Sequence, residues 1–317
     1  MTIALEVSVR RTLALALALA LALTGCAPAP VAPATSAAPA TETPGLPLTL
    51  TDDANRPVTI AALPARIVSI APSNTEMLFA VGAGDRVVAV DRYSDYPAEA
   101  KTKESLGSYL QPDIEKLVAA APDLVLATDV HVKQVVPQLE ARHITVFVLA
   151  PRDLDGVLDR IGIVGRITGR ETAARELVGR LRDRIDAVGR AVSAAATKPR
   201  VFFELDPKLF TAGPGTFIDD LLRRAGATNL AADASTQYPQ LSTESVVLKD
   251  PEVIILADDA SGETPDKVRA RPGWQGVSAV RTGRIISIDP NLTNRPGPRL
   301  VDGLETLAKA LHPELFR

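Results

Sequence analysis

The sequence predicts an α/β protein in which two Rossmann-like α/β lobes are joined by a single long α-helix, with a cleft between the lobes. Three observations predict it. Short apolar runs alternate with helical segments over 65–150 and again from 200 to 311, the pattern of mostly parallel strands with crossover helices. Between them, 153–196 holds no strand-like run. Finally, one stretch occurs almost twice: DIEKLVAAAPDLVLA (113–127) and STESVVLKDPEVIIL (242–256). Each copy is an acidic helix start, a short apolar helix, a Pro-acid turn and a buried strand, with Glu115 in register with Glu244. A duplication of this kind places one copy in each lobe.

Taken in order, the chain opens with Arg10 and Arg11 before an apolar run at 13–23. That is a secretory signal of about a dozen apolar residues, too short to span a bilayer stably. Leu23-Thr24-Gly25-Cys26 resembles a bacterial lipoprotein processing site, which implies cleavage before Cys26 and a lipid on its sulfur. Cys26 is the only cysteine, so no disulfide forms within the chain. Residues 26–47 are rich in Pro, Ala and Thr, a composition that buries no core and reads as a tether. The expected organisation is a signal (1–25), a lipidated tether (26–47), an N-terminal lobe (48–168), a linking helix (169–197) and a C-terminal lobe (198–317). The protein is then exported and touches the membrane through its lipid alone. A formal net charge of −3 gives no basic field for nucleic acid.

LTLTDDANRPVTI (48–60) reads as a hairpin around Asp-Asp-Ala-Asn, and ARIVSIAP (65–72) as a buried strand. Ser73 followed by Glu76 suggests a capping box opening the next helix, which Gly82 and Gly84 end. Strands follow at 86–90, 123–128 and 144–150, with helices at 113–121 and around Pro137. From Leu177 through Leu181, Ile185, Val188 and Val192 to Ala195 the apolar positions recur at helical spacing. Arg180, Arg182, Arg184 and Arg190 read as the solvated face of that long helix. RVFFEL then opens the second lobe, Thr216 and Asp219 suggest a capped helix, and 252–256 and 284–288 read as strands before a last helix from about Arg299 to Leu311.

Catalytic signals are missing from the sequence, and the chain reads as a binding protein rather than an enzyme. His131, His143 and His312 have no metal-ligand spacing with one another or with the cysteine. The glycine pairs at 82–84 and 213–215 lack a phosphate-loop lysine and read as turns. No resident cofactor or metal is expected.

Taken together, RIVSIAPSNTEMLFAVGAGDRVVAV, DRYSDYP (91–97), GSYLQPDIEKLVAAAPDLVLA (107–127), FTAGPGTFIDDLLRRAGATNLAAD (210–233), YPQLSTESVV (238–247) and NRPGPRL (294–300) resemble the helix-linked (class III) substrate-binding lipoproteins of ABC transporters. The resemblance spans roughly 50–315 and is nearest to the cobalamin-binding branch, on the phrases around Tyr93 and Tyr238. It implies that Tyr93, Tyr109, Phe210 and Tyr238 line the cleft and that the loop Asn291-Leu292-Thr293-Asn294-Arg295 closes over the corrinoid ligand's amide rim. It also implies that Glu115 and Glu244 dock onto a two-subunit permease driven by a cytoplasmic ATPase, with the binder a monomer. The chain departs from the family in having Tyr109 and Tyr238 where tryptophan is frequent, and Asn and Thr in the closing loop. A ferric siderophore or haem is the alternative cargo. Haem would take Tyr93, Tyr109 or Met77 as axial ligand, and an anionic siderophore would use Arg92, Arg295 and Arg299. A ligand-sensing surface lipoprotein or an anchored hydrolase are readings from other classes.

Overall fold

A computed structural model describes residues 45–258 and 261–316. The expected signal, Cys26 and tether residues 26–44 lie outside the described residues.

The hairpin forms as expected from β1 (Leu48–Thr51) and β2 (Pro57–Ile60), paired antiparallel. Asp52 organises its turn, accepting the backbone N–H groups of Ala54 and Arg56 at 3.0 Å each. Asp53 carries the hairpin onto the first lobe by accepting the Ala150 N–H at 2.6 Å. That lobe holds a parallel sheet of β3 (Ile67–Ser69), β4 (Val87–Val90), β5 (Glu104–Ser105), β6 (Leu124–Ala127) and β7 (Val146–Val148), in the order β5-β4-β3-β6-β7. Its crossover helices are α1 (Pro72–Ala80), α2 (Ile114–Ala119) and α3 (Val135–Glu140).

Two helices follow, α4 (Leu154–Thr168) and α5 (Glu171–Val192). Gly169 separates them with φ 61°, a left-handed conformation that costs glycine little. The second lobe is a parallel sheet of β8 (Arg200–Glu204), β9 (Thr228–Asn229), β10 (Val253–Leu256) and β11 (Ile285–Ser287), in the order β11-β10-β8-β9. Around it lie α6 (Phe217–Arg224), α7 (Thr243–Lys249), α8 (Pro265–Arg269), α9 (Ser278–Thr282), α10 (Pro290–Thr293) and α11 (Leu300–Leu311).

Side chains alternate across each sheet, as the pleat requires. Ile67, Leu124, Phe147, Val201, Phe203, Val253 and Ile255 join one apolar core shared with α4, α5 and α11. Their neighbours Val68, Val125 and Val148 face a second cluster in the first lobe, and Phe202, Ile254 and Leu256 a third around Trp274. The linking helix α5, about 33 Å long at 1.5 Å per residue, buries Leu181, Ile185 and Val188. It ends at Val192 with Ser193 as its C-cap, so Ala195 falls beyond the helix in which the periodicity had placed it. Its arginines are not all solvated. Arg180, Arg182 and Arg190 are exposed, but Arg184 donates to Glu305 at 2.8 Å and to Asp302 at 2.6 Å, tying α5 to α11.

The expected capping box at Ser73 does not form. The N-cap of α1 is Ala71, without a side-chain cap, and both Ser73 and Glu76 sit inside the helix. Glu76 is committed elsewhere. It is buried, and it accepts both Nε (3.0 Å) and Nη2 (2.6 Å) of Arg299, from the second lobe. Arg295 donates to Asp95 at 2.6 Å and stands 3.8 Å from Glu76. Burial pushes the Glu76 carboxyl up, against the pull of the two arginines. Thr216 fares better, accepting the Asp219 N–H at 3.1 Å. The Asp219 carboxylate instead accepts from Asn229, so only half of that box exists.

Replacing Arg299 by Ala leaves the Glu76 carboxyl buried opposite no guanidinium fork. Breaking a buried pair from one side costs about 3–5 kcal/mol. Chemical denaturation is expected to show a loss of that order. The loss is larger at about pH 8 than at about pH 5, because protonation of Glu76 relieves it as pH falls through its raised pKa.

Candidate functional site

In parallel α/β sheets the loops that leave the C-terminal strand ends carry ligands, at the point where strand order reverses. In the first sheet that point is β3/β6. Two adjoining cavities of about 320 and 310 Å³ open there, between the lobes. All five strands of the first sheet feed them: Pro72 and Ser73 after β3, Tyr93 after β4, Tyr109 after β5, Thr128 after β6, and Ala150 to Arg152 after β7. The second lobe contributes Gly215 to Phe217 at the start of α6, Gln237 and Tyr238, and Pro290, Asn291, Asn294, Arg295 and Pro296 after β11. Tyr109, Thr128, Asn294 and Pro296 line both cavities.

Tyr93 is held by its backbone and open at its ring. Its N–H donates to Asp91 at 2.8 Å, and the side chain is 46% exposed. Asp91 is buried and also accepts from Ser94 at 2.6 Å. A chain of buried hydroxyls runs on from Ser94 through Thr75 to Ser69, at 2.7 and 2.8 Å, so the loop is anchored to α1 and β3. Burial pushes the Asp91 carboxyl up, and the Ser94 hydroxyl holds it back. Tyr109 is half-buried. Burial, reinforced by Asp129 and Asp91, pushes its hydroxyl up to about 12. Tyr238 stands across the cleft, half exposed.

Of the other expected ligand-facing residues, Asn291, Asn294 and Arg295 line the first cavity. Leu292 and Thr293 line neither. The segment is not an open loop but the helical turn α10, braced by the Asn294 amide donating to the Ala257 carbonyl at 3.0 Å. Thr293 turns inward and is fully buried. Leu292 rests its carbonyl against Gly303 of α11. Phe210 is 37% exposed and lines neither cavity, although its backbone pairs with Gln240, close to Tyr238 in the chain. Met77 is wholly buried in the core, so it offers no axial ligand. Arg92 donates to the Tyr93 hydroxyl at 2.8 Å, and Arg299 is taken by Glu76. Pro72, Ser73, Thr128, Phe217 and Gln237 were not singled out as cleft residues from sequence. For the first three the signal was there, since each directly follows the apolar strand runs IVSIA and LVLA.

Glu115 and Glu244 stand outside the cavities, exposed in the first turns of α2 and α7. A crossover helix runs antiparallel to its strands, so both turns emerge at the sheet edges onto which the cleft opens. The two copies of the repeat match in detail. Asp113 and Ser242 cap their helices by accepting N–H groups at 3.1 Å each. Leu117 and Val246 are fully buried, and Ala121 and Asp250 share a left-handed backbone at φ 44° and 46°. Arg66 and Arg200 then donate to the carbonyls of Ala120 and Asp250 at 2.6 and 2.9 Å.

Two α/β lobes on a helical link, with a cleft lined from both, define a solute-binding protein of the helix-linked class. The chain belongs to the periplasmic binding protein family, whose sequence model matches residues 67–292. It is 34% identical over 279 residues to the uncharacterized ABC transporter substrate-binding lipoprotein YvrC of Bacillus subtilis, covering 86% of this chain and 87% of that one. It is likewise 34% identical over 275 residues to a cobalamin-binding protein of Halobacterium salinarum, covering 84% and 74%. Among solved structures, a periplasmic heme-binding protein from Pseudomonas aeruginosa superposes with a TM-score of 0.71 at 30% identity, over 79% of this chain and 94% of that one. Among the described residues no helix is long and apolar enough to cross a membrane, and no group of three or more His, Cys, Asp or Glu is placed to hold a metal ion.

Gly303 tests how the second lobe presents its residues. A Cβ there collides with the Leu292 carbonyl oxygen, so Gly303→Ala must shift α10. Overpacking of this kind costs about 1–3 kcal/mol. The expected result is a lower midpoint in thermal unfolding together with weaker ligand binding by calorimetry, because Asn291, Asn294 and Arg295 move with the turn.

Proposed function

We propose that the protein is the lipid-anchored binding component of an ABC importer, which captures a corrinoid between its lobes and hands it to a membrane permease without catalysing any reaction. The observation that carries this is the composition of the cleft, with tyrosine rings on both walls and primary amides at its edge. A macrocycle offers a broad apolar face and a polar rim. Tyr93, Tyr109 and Tyr238 supply rings to stack and hydroxyls to hydrogen-bond. Gln237, Asn291 and Asn294 supply amides suited to a rim of amide side chains. Arg295 is already paired with Asp95, and Arg152, the other arginine lining the cavities, shares its cavity with Asp129, so the lining offers an anionic cargo little net positive charge. The relatives named above support the transport role, and the cobalamin-binding one supports the ligand.

Haem is the second reading, favoured by the likeness to the Pseudomonas aeruginosa structure. A ferric iron held by tyrosine takes the phenolate. Tyr93 and Tyr109, which both line the first cavity, are the tyrosines of the first lobe placed to supply it.

In this reading Cys26 carries the anchor, the protein works as a monomer outside the cytoplasmic membrane, and Glu115 and Glu244 are matched handles for a two-subunit permease. The closing motion is small, because α5 and α11 are tied by Arg184 and the lobes by Glu76 and Arg299.

Calorimetric titration of the purified full-length chain with cyanocobalamin, with hemin and a ferric hydroxamate alongside, tests the ligand. One-to-one corrinoid binding is expected, weakened by about 1–2 kcal/mol in Tyr93→Ala and in Tyr238→Ala. Tight binding of hemin with no corrinoid binding overturns the cargo. The docking reading is tested separately by ligand uptake in cells. Glu115→Arg and Glu244→Arg are each expected to cut uptake while leaving the affinity of the purified protein unchanged, and the double variant to abolish it. Uptake at the native rate in the double variant would sink that role.

A further inference from the structure

His131 has no part in the ligand contacts just described, yet it sits directly behind them. It is wholly buried. Its Nδ1 accepts the backbone N–H of Thr128 at 3.1 Å, and its Nε2 lies 2.7 Å from the carbonyl oxygen of Tyr109. A backbone N–H only donates and a carbonyl only accepts. The two partners therefore fix one neutral tautomer, with the proton on Nε2 donated to Tyr109. The ring also meets the Tyr109 ring edge-on, with centroids 5.4 Å apart at 79°, a favourable aromatic arrangement. Tyr109 and Thr128 are the two first-lobe residues common to both cavities. One imidazole thus ties together the loops after β5 and β6 at the point where the two cavities meet.

We infer that His131 is the positioning residue of the cleft: by bridging Thr128 and Tyr109 it sets the angle of the Tyr109 ring against which the ligand stacks, and its protonation opens that bridge at Thr128. Both ring nitrogens are occupied, so the imidazole is not a ligand for a metal-bearing cargo. The charged and titratable groups facing it are Asp91 from the end of β4, Asp129 from its own turn and Tyr109 itself. Burial nevertheless holds the imidazole below its ordinary range, against the pull of these neighbours. A second proton would have to enter at Nδ1, where the Thr128 N–H already points. The bridge is therefore complete at neutral pH and loses its Thr128 end as pH falls through the lowered pKa of the ring, which leaves Tyr109 held to a ring no longer fixed to the loop after β6. Only the identity of the stacked ligand rests on the function proposed above.

The test has a ligand-free arm and a binding arm, both on the purified full-length chain. In the first, carbon-labelled tyrosine is followed by NMR, with Tyr109 assigned through Tyr109→Phe. Wild type is expected to give one sharp Tyr109 ring signal at neutral pH, which shifts on acidification together with the ionisation of the imidazole. In His131→Ala the signal is expected to be broadened or multiple already at neutral pH. A Tyr109 signal that is the same in both proteins, or that ignores the imidazole's ionisation, overturns the inference. If His131→Ala does not fold, the wild-type titration decides alone. In the second arm, cyanocobalamin and hemin are titrated into wild type, His131→Ala and His131→Gln. Whichever compound binds is expected to bind about tenfold more weakly to His131→Ala, a difference of about 1.4 kcal/mol. Its affinity should fall on acidification in wild type but not in the variant. Unchanged affinity in a folded His131→Ala overturns the inference. If wild type binds neither compound, the cargo reading fails and the ligand-free arm still decides for or against His131.

Discussion

The arrangement of this protein depends on one contact between its lobes, the fork of Arg299 on the buried carboxyl of Glu76. A cleft between two sheets is useful only if its walls keep their distance. Apolar packing between lobes gives attraction without registry, because it is non-directional. A bidentate pair gives registry, since both oxygens and both nitrogens must meet in one plane. Here the pair lies next to the cavity: Glu76 is on the same helix as Ser73, and Arg299 closes the segment that carries Arg295 and Pro296. Desolvating Glu76 is unfavourable, and a second guanidinium near it offsets part of that. The long helix and its shared core supply the bulk attraction, and the pair supplies the alignment.

The duplication acquires a physical meaning once the two copies are laid over each other. A repeated sequence could be a repeated core and nothing more. The match extends, however, to groups that no core requires. Arg66 and Arg200 both reach the C-terminal carbonyls of the short helices, and Asp123 and Glu252 both accept the backbone N–H of those same arginines, at 3.0 and 2.9 Å. Each short helix is thereby fixed at its end and capped at its start, although neither exceeds seven residues and helices that short are marginal by themselves. Rigid short helices present their first-turn glutamates at set positions. The two glutamates are thus related by one offset in sequence and stand on helices capped and tied in the same way.

Most of the architecture was legible because it follows from patterns with few readings. Alternation of strands and helices, the Asp-Asp turn of the hairpin and the helical spacing from Leu177 to Val192 each led to the observed element. The failures share a cause. Ser73 and Glu76 have the spacing of a capping box, but Glu76 is claimed by an arginine more than two hundred residues away, and a local motif carries no sign of such a claim. Arg184 looks like its neighbours on the helix and differs only because Asp302 and Glu305 come within reach. The segment 291–295 has the polar composition of a loop, yet the Asn294 amide reaches the carbonyl of Ala257, 37 residues back in the chain, at 3.0 Å and braces it as a helical turn. Tertiary partners decided all three. In the cleft, Tyr93, Tyr109 and Tyr238 could be named through the family resemblance of the phrases that hold them. His131 could not, because its role lies in hydrogen bonds to the backbone of Thr128 and Tyr109.

The same backbone hydrogen bonds bear on selectivity. A bulky ligand held by stacking alone would tolerate many flat partners, since every such face is similar. Discrimination then has to come from the fixed angle of the rings and from polar groups that would be left unpaired by the wrong rim. This cleft fixes its rings through the main chain: Tyr93 through Asp91, and Tyr109 through His131. It fixes the Asn294 amide through the carbonyl of Ala257, which leaves that side chain's oxygen to meet the Thr293 hydroxyl and the cavity. A cargo with a charged rim would find Arg295 already engaged by Asp95. A cargo with a neutral, hydrogen-bonding rim would find partners without displacing any existing pair. The buried acids and the histidine behind the cleft thus shape its preference indirectly, by deciding which of the surface groups remain available.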